Sequence, residues 1–145
     1  MTARRPPIPA LRYEDAPAAI DFLCRAFGFE RQAVYADDKD PKLIHHAQLG
    51  FGGGLIMLGT ARPGPVDELY RWKRPRDAGG ITMCLCLVVD DVDAHHDKAR
   101  AAGAEILTGP HDNEGYPGRS YDARDPEGNV WNVTTYDPWA GGTAS

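Results

Sequence analysis

An internal repeat constrains the fold of this chain most strongly. Residues 15–30 read DAPAAIDFLCRAFGFE and residues 90–105 read DDVDAHHDKARAAGAE. At an offset of 75, six of the sixteen positions are identical: Asp15/Asp90, Ala19/Ala94, Arg25/Arg100, Ala26/Ala101, Gly28/Gly103 and Glu30/Glu105. Chance would give about one, so the sequence describes two copies of one unit. The period is too long for a solenoid, which implies paired halves of one small domain.

Each copy reads as a helix with defined ends. An acidic residue near the start meets the positive end of the helix dipole and can cap free N–H groups. Ile20, Leu23, Cys24 and Phe27 recur at helical spacing and form one apolar stripe. Gly28 and Gly103 stand where a helix takes a left-handed C-terminal residue. Extended segments follow at 30–37 and 104–108, and short strands precede the helices at 8–14 and 81–89. Further strands are expected at 43–51 and 55–59 around Gly52-Gly53-Gly54, and at 119–124 and 130–136 around Asp125-Pro126-Glu127-Gly128-Asn129. Both intervening segments have the chemistry of hairpin turns. The order is βαβββ twice: a single domain over 1–145, with module one at about 8–59, a linker at 60–79, module two at 80–136 and a tail at 137–145.

Charged residues at 26% and hydrophobic residues at 42% are the balance of a globular chain, not a disordered one. A formal net charge of −5 gives no global field toward nucleic acid. No apolar run approaches the ~20 residues of a membrane span, and the N-terminus lacks the apolar stretch of a signal peptide. Three cysteines without a CxxC pair suit a reduced, cytoplasmic compartment. The one basic cluster, Tyr70-Arg71-Trp72-Lys73-Arg74-Pro75-Arg76, reads as a solvated connector, with anion binding as the alternative.

Several segments together resemble the vicinal oxygen chelate superfamily of glyoxalases, bleomycin-resistance proteins and extradiol dioxygenases. They are Asp15-Ala16 with Ala19-Ile20-Asp21-Phe22 and Phe27-Gly28-Phe29, His46-Ala47-Gln48-Leu49, Ile56-Met57-Leu58-Gly59, Val89-Asp90-Asp91-Val92-Asp93-Ala94, and Asp125-Pro126-Glu127-Gly128-Asn129. The resemblance implies an α+β fold in which two βαβββ modules form a curved mixed sheet. Helices would cover the convex face, and a concave cleft would hold a small organic ligand. A homodimer is implied as well, with modules paired either within a chain or across the dimer.

Metal-dependent relatives place one ligand on the first strand and one on the last strand of each module. The matching positions are Ile8 (or Pro9), Met57, Cys84 (or Met83) and Asn132. Isoleucine and methionine do not bind a hard divalent ion, and asparagine is a weak ligand without charged company. The expectation is therefore no metal and no cofactor. His45 and His46 are adjacent on a strand and point to opposite faces. Cys84 and Cys86 share a face, so a zinc site with His46 is an alternative to their reading as small pocket-wall groups. His95 and His96 read as structural, and His111 as a solvated loop residue.

Strand alternation supplies the expected pocket wall: Arg12, His46, Gln48, Met57, Cys84, Cys86, Asn132 and Thr134, with Tyr121 able to face either way. Tyr116 belongs to a flap expected at 108–118. Arg12 matters most. In glyoxalase-like relatives a strand-one arginine at this distance from the helix contacts an anionic substrate, and its planar fork suits a carboxylate. The alternative for Arg12 is a salt bridge. Trp72 and Trp139 are candidates to flank the cleft or a dimer seam, while Trp131 falls on the helix side. The functional expectation is a small-molecule-binding protein that sequesters an antibiotic or aromatic metabolite. Two alternatives stay open: a lyase, isomerase or dioxygenase-like enzyme using Glu14, Asp122 or His46 as acid or base, and a partner-binding dimeric scaffold.

Overall fold

The computed structural model describes residues 3–140. The fold is α+β, with two four-stranded mixed sheets, and the chain divides into two compact units with the boundary between Arg74 and Pro75.

In the first unit, β1 (Ala10–Tyr13) leads into α1 (Ala16–Phe22), followed by β2 (Glu30–Ala36), β3 (Ile44–Phe51) and β4 (Gly54–Thr60). The sheet order is β1-β4-β3-β2; β1 runs parallel to β4 and the other neighbours are antiparallel. Asp15 caps α1 by accepting a hydrogen bond from the Ala18 N–H at 3.1 Å. The helix passes into one π-helical turn, Leu23–Phe27, and stops at Gly28, whose φ of 86° is open to glycine at no steric cost. Ile20, Leu23 and Phe27 of this helix are buried against a sheet face made by Leu11, Tyr13, Ala47, Leu49, Ile56 and Leu58. Each large apolar side chain removed from water in this way contributes about 1.5–3 kcal/mol.

The second unit repeats the plan. β5 (Leu85–Val88), a helix (Val92–Ala101), β6 (Glu105–Asp112), β7 (Arg119–Arg124) and β8 (Val130–Thr134) give the order β5-β8-β7-β6, again with first and last strands parallel. Asp91, not Asp90, is the cap: its carboxylate accepts from the Ala94 N–H at 3.0 Å. Gly103 is left-handed at φ 98°, as the repeat requires. Two short helices precede this helix, α2 (Pro65–Tyr70) and α3 (Pro75–Ala78), so Val92–Ala101 is α4.

The segment Asp125-Pro126-Glu127-Gly128-Asn129 is a turn with a buried anchor. Asp125, 5% exposed, accepts from the backbone of Glu127 and Asn129, from the Asn129 amide and from Trp131 Nε1 at 3.1 Å. Trp131 itself is fully buried. The motif fixes the β7–β8 hairpin by satisfying several donors on one carboxylate.

Two expectations are corrected. The flap expected at 108–118 is shorter: β6 runs to Asp112 with register shifts between Ile106 and Thr108 and between Thr108 and His111, and the turn from Asn113 to Gly118 remains. Gly109 and Pro110 sit in the irregular part of this edge strand, where a residue without an N–H is tolerated. The 60–79 segment is not simply a solvated connector. Arg74 pairs with Glu14 at 2.8 Å, and Trp72 folds back over Arg12, although Arg71, Lys73 and Arg76 are exposed.

Candidate functional site: an arginine pocket in the first unit

The alternation of burial along the strands fixes which side chains face away from the helices. Leu11 and Tyr13 are buried while Arg12 is partly open; Ala47 and Leu49 are buried while His46 and Gln48 are partly open; Ile56 and Leu58 are buried while Met57 is partly open. Arg12, His46 and Met57 therefore lie on one face of the first sheet. With Ala10 they floor a pocket of about 140 Å³, whose wall comes from Val66, Tyr70 and Trp72 of the linker. This volume is close to that of an engineered cavity of ~150 Å³ that accepts benzene, so it suits one aromatic ring or a small acid.

Arg12 dominates the chemistry of this pocket. Its guanidinium carbon lies 5.1 Å from the centroid of Trp72, which in turn stacks on Tyr70 at 5.8 Å and 17°. One terminal nitrogen meets Asp67 Oδ1 at 3.3 Å, and the side chain is only 21% exposed. Its Nε–H is buried and has no acceptor among the described residues. A buried donor left without an acceptor costs about 1–3 kcal/mol, and more when the group is charged.

The position of the guanidinium depends on Gly59, its register partner on β4. A Cβ at Gly59 would fall 2.7 Å from Arg12 Nη1, so the absence of a side chain opens the space the cation uses. His46 carries a second order of organisation. Its Nε2 is 3.0 Å from Gln48 Oε1, and the Gln48 amide donates to Gln32 Oε1. In the tautomer with the proton on Nε2, the ring donates to the Gln48 oxygen and Nδ1 is left as an acceptor.

The other expected site residues lie in the second unit. Cys84, just before β5, and Cys86, on β5, are exposed, while Leu85 and Leu87 are buried. Asn132 pairs in register with Cys86, and its amide donates to Asp122 at 2.8 Å. Thr134 is buried and its hydroxyl is committed to Ser120 and the Tyr136 N–H. Tyr116 is half-exposed and packs edge-on against Tyr136. Tyr121 is a correction: it is fully buried on the helix side, where His95 of α4 meets its hydroxyl at 2.7 Å. Burial also drives its phenol pKa upward, so it stays neutral as a core group. Val66, Tyr70 and Trp72 are pocket residues that strand alternation did not identify, as is Asp67, the ion-pair partner of Arg12; Trp72 was legible only as an aromatic outside the strands.

A family model for the Glyoxalase/Bleomycin resistance protein/Dioxygenase superfamily matches residues 7–133. The chain belongs to this superfamily. The Rv0887c protein of Mycobacterium tuberculosis H37Rv is 33% identical over 127 residues, spanning 86% of this chain and 71% of its own length. The crystal structure of TioX from Micromonospora sp. ML1 is 32% identical and covers 88% of this chain and 94% of its own, with a TM-score of 0.63. FosX of Listeria monocytogenes, a fosfomycin resistance protein solved as a point mutant with Mn(II) and a dihydroxypropylphosphonic acid, shares the fold at 14% identity. Its TM-score is 0.66, with coverage of 94% of this chain and 96% of its own.

This structural neighbour was solved with Mn(II), which makes the donor set here worth testing. In the first unit the corresponding positions are Ile8, which precedes β1, and the thioether of Met57. In the second they are Cys84 and Asn132, whose amide already pairs with Asp122. Among the described residues no three His, Cys, Asp or Glu side chains converge as a metal-binding group. These residues do not fit a hard divalent cation, which takes several charged oxygen or imidazole ligands.

Proposed function

We propose that this superfamily member binds and sequesters a small anionic organic molecule, an antibiotic or an aromatic metabolite, without a metal. The carrying observation is Arg12: a largely buried cation, stacked on Trp72, that lines a pocket the size of one ring. A carboxylate or phosphonate would meet the guanidinium fork, and an attached ring would lie against Met57, Val66 and Tyr70. The poor fit of the donor set to a divalent ion supports a metal-free role. The protein would act in the cytoplasm as a homodimer, as a resistance or storage protein.

The test is an unbiased thermal-shift screen over aromatic acids and antibiotics, run with and without a chelator. Binders are expected to raise the apparent Tm by mass action, equally in both conditions. Stabilisation that vanishes with chelator, or one tightly held divalent metal per chain by elemental analysis, would refute it. The enzymatic reading has one observation in its favour, the place of His46 in the pocket lining with its ring held by Gln48. It requires turnover of a bound acid that disappears in His46→Ala while binding remains.

A further inference from the structure

The second unit carries a pair of nucleophilic side chains that the arginine pocket does not use. Cys84 and Cys86 lie two residues apart, both exposed, with Leu85 between them buried in the opposite direction. Cys84 lies near enough to Cys86 to act on its thiol. The strand spacing limits what such a pair can do. Two residues of extended chain span about 6.6 Å between Cα atoms. That is at the upper edge of disulfide geometry, where about 5.5–6 Å is usual. A direct S–S bond would need β5 to contract at its start, whereas one bridging atom spans the two sulfurs without that movement.

Two thiols also fall short of what zinc requires, namely three or four protein ligands. Nothing nearby supplies the rest: among the described residues no third His, Cys, Asp or Glu joins the pair. A species that needs only two sulfurs and brings its own third substituent fits this count. We propose that Cys84 and Cys86 form a dithiol site for soft, thiophilic metalloid compounds of that valence, with mono-substituted trivalent arsenicals as the ligand class.

The step balances without a redox partner. An organoarsenous acid carries two hydroxyls and one carbon substituent on arsenic. Two As–O bonds break and two As–S bonds form. Each thiol proton leaves with a hydroxyl as water, and arsenic stays trivalent. The surroundings suit a neutral electrophile. Burial, the neighbouring Cys84 and the carboxylate of Asp122 hold the Cys86 thiol above its usual pKa, and that carboxylate disfavours an anionic reagent. This site stands in the second unit and does not depend on the reading of Arg12.

The test uses the reduced full chain and phenylarsine oxide, followed by intact mass spectrometry, thiol counting and peptide mapping with an alkylating reagent. One phenylarsenic group per chain is expected, and free thiols fall from the three cysteines of the sequence to one. Mapping of the wild-type chain should show Cys84 and Cys86 protected and Cys24 still alkylated. Cys84→Ser and Cys86→Ser should each weaken capture on the order of 100-fold or more, because the second bond becomes intermolecular. Cys24→Ser should leave it unchanged, and a 1,2-dithiol should release the group where a monothiol does not. Retained capture in either strand variant, protection of Cys24 in place of the pair, or equally tight binding of zinc alone would overturn the proposal.

Discussion

Replacing Gly59 with alanine tests whether the pocket is built around the arginine. The new Cβ would lie 2.7 Å from Arg12 Nη1, 3.2 Å from the His45 carbonyl and 3.4 Å from the Ile44 carbonyl. The carbonyls are fixed by the β-ladder, so the guanidinium gives way. Its displacement removes the Asp67 contact and the Trp72 stacking, each worth about 0.5–1 kcal/mol in a partly exposed setting. Overpacking in a sheet adds about 1 kcal/mol at the low end of its range, because the clashing atom ends a flexible side chain. The expected loss in urea denaturation is therefore ~2 kcal/mol. Anion binding should suffer more than stability suggests: losing charge-assisted bonds worth about 1.5–3 kcal/mol weakens Kd roughly 10- to 150-fold. Gly53→Ala, in an open turn with nothing within 4 Å, is the control and should change neither. Unchanged stability and unchanged binding of an aromatic acid in Gly59→Ala would refute the placement of Arg12.

Other outcomes follow from the second unit. Asp125→Asn turns one acceptor of the buried turn carboxylate into a donor facing Asn129 Nδ2 or Trp131 Nε1, and should cost about 2–4 kcal/mol in urea denaturation. A loss below about 0.5 kcal/mol, on the scale of an ordinary surface change, would mean that the motif is only a turn. Arg119 grips Asp93 through two hydrogen bonds of 2.9 and 3.0 Å, and the Asp93 carboxyl is held below its usual pKa by that grip. Its stabilisation is complete above the unfolded carboxylate value of about 3.9 and is lost as pH falls through the lower folded pKa. The stability gap between wild type and Asp93→Asn should accordingly shrink on acidification; a gap independent of pH would contradict the pairing.

Much of this arrangement is legible in the amino-acid order. Alternation between small or apolar residues and polar ones places Arg12, His46, Met57 and Cys86 away from the helices, because a half-buried strand has a period of two. The repeat locates both helices and their closing glycines. What escapes such reading depends on contacts distant in sequence. Tyr121 follows Ser120, and both are buried, so β7 offers no alternation there; the partner that decides its side is His95, 26 residues away. Trp72 sits in a basic, proline-bearing stretch that has the composition of a solvated connector. Its place over Arg12 comes from cation–π and stacking contacts that no local pattern encodes. Gly109 and Pro110 have the chemistry of a turn, but an edge strand absorbs them as irregularities.

The most direct test of the arginine pocket is calorimetric titration of the strongest aromatic-acid binder from the screen into wild type and Arg12→Gln, in the presence of chelator. The account predicts one site per chain in the wild type and a Kd at least about 10-fold weaker in the variant, with its fold intact by circular dichroism. Equal affinity in the two proteins would contradict it.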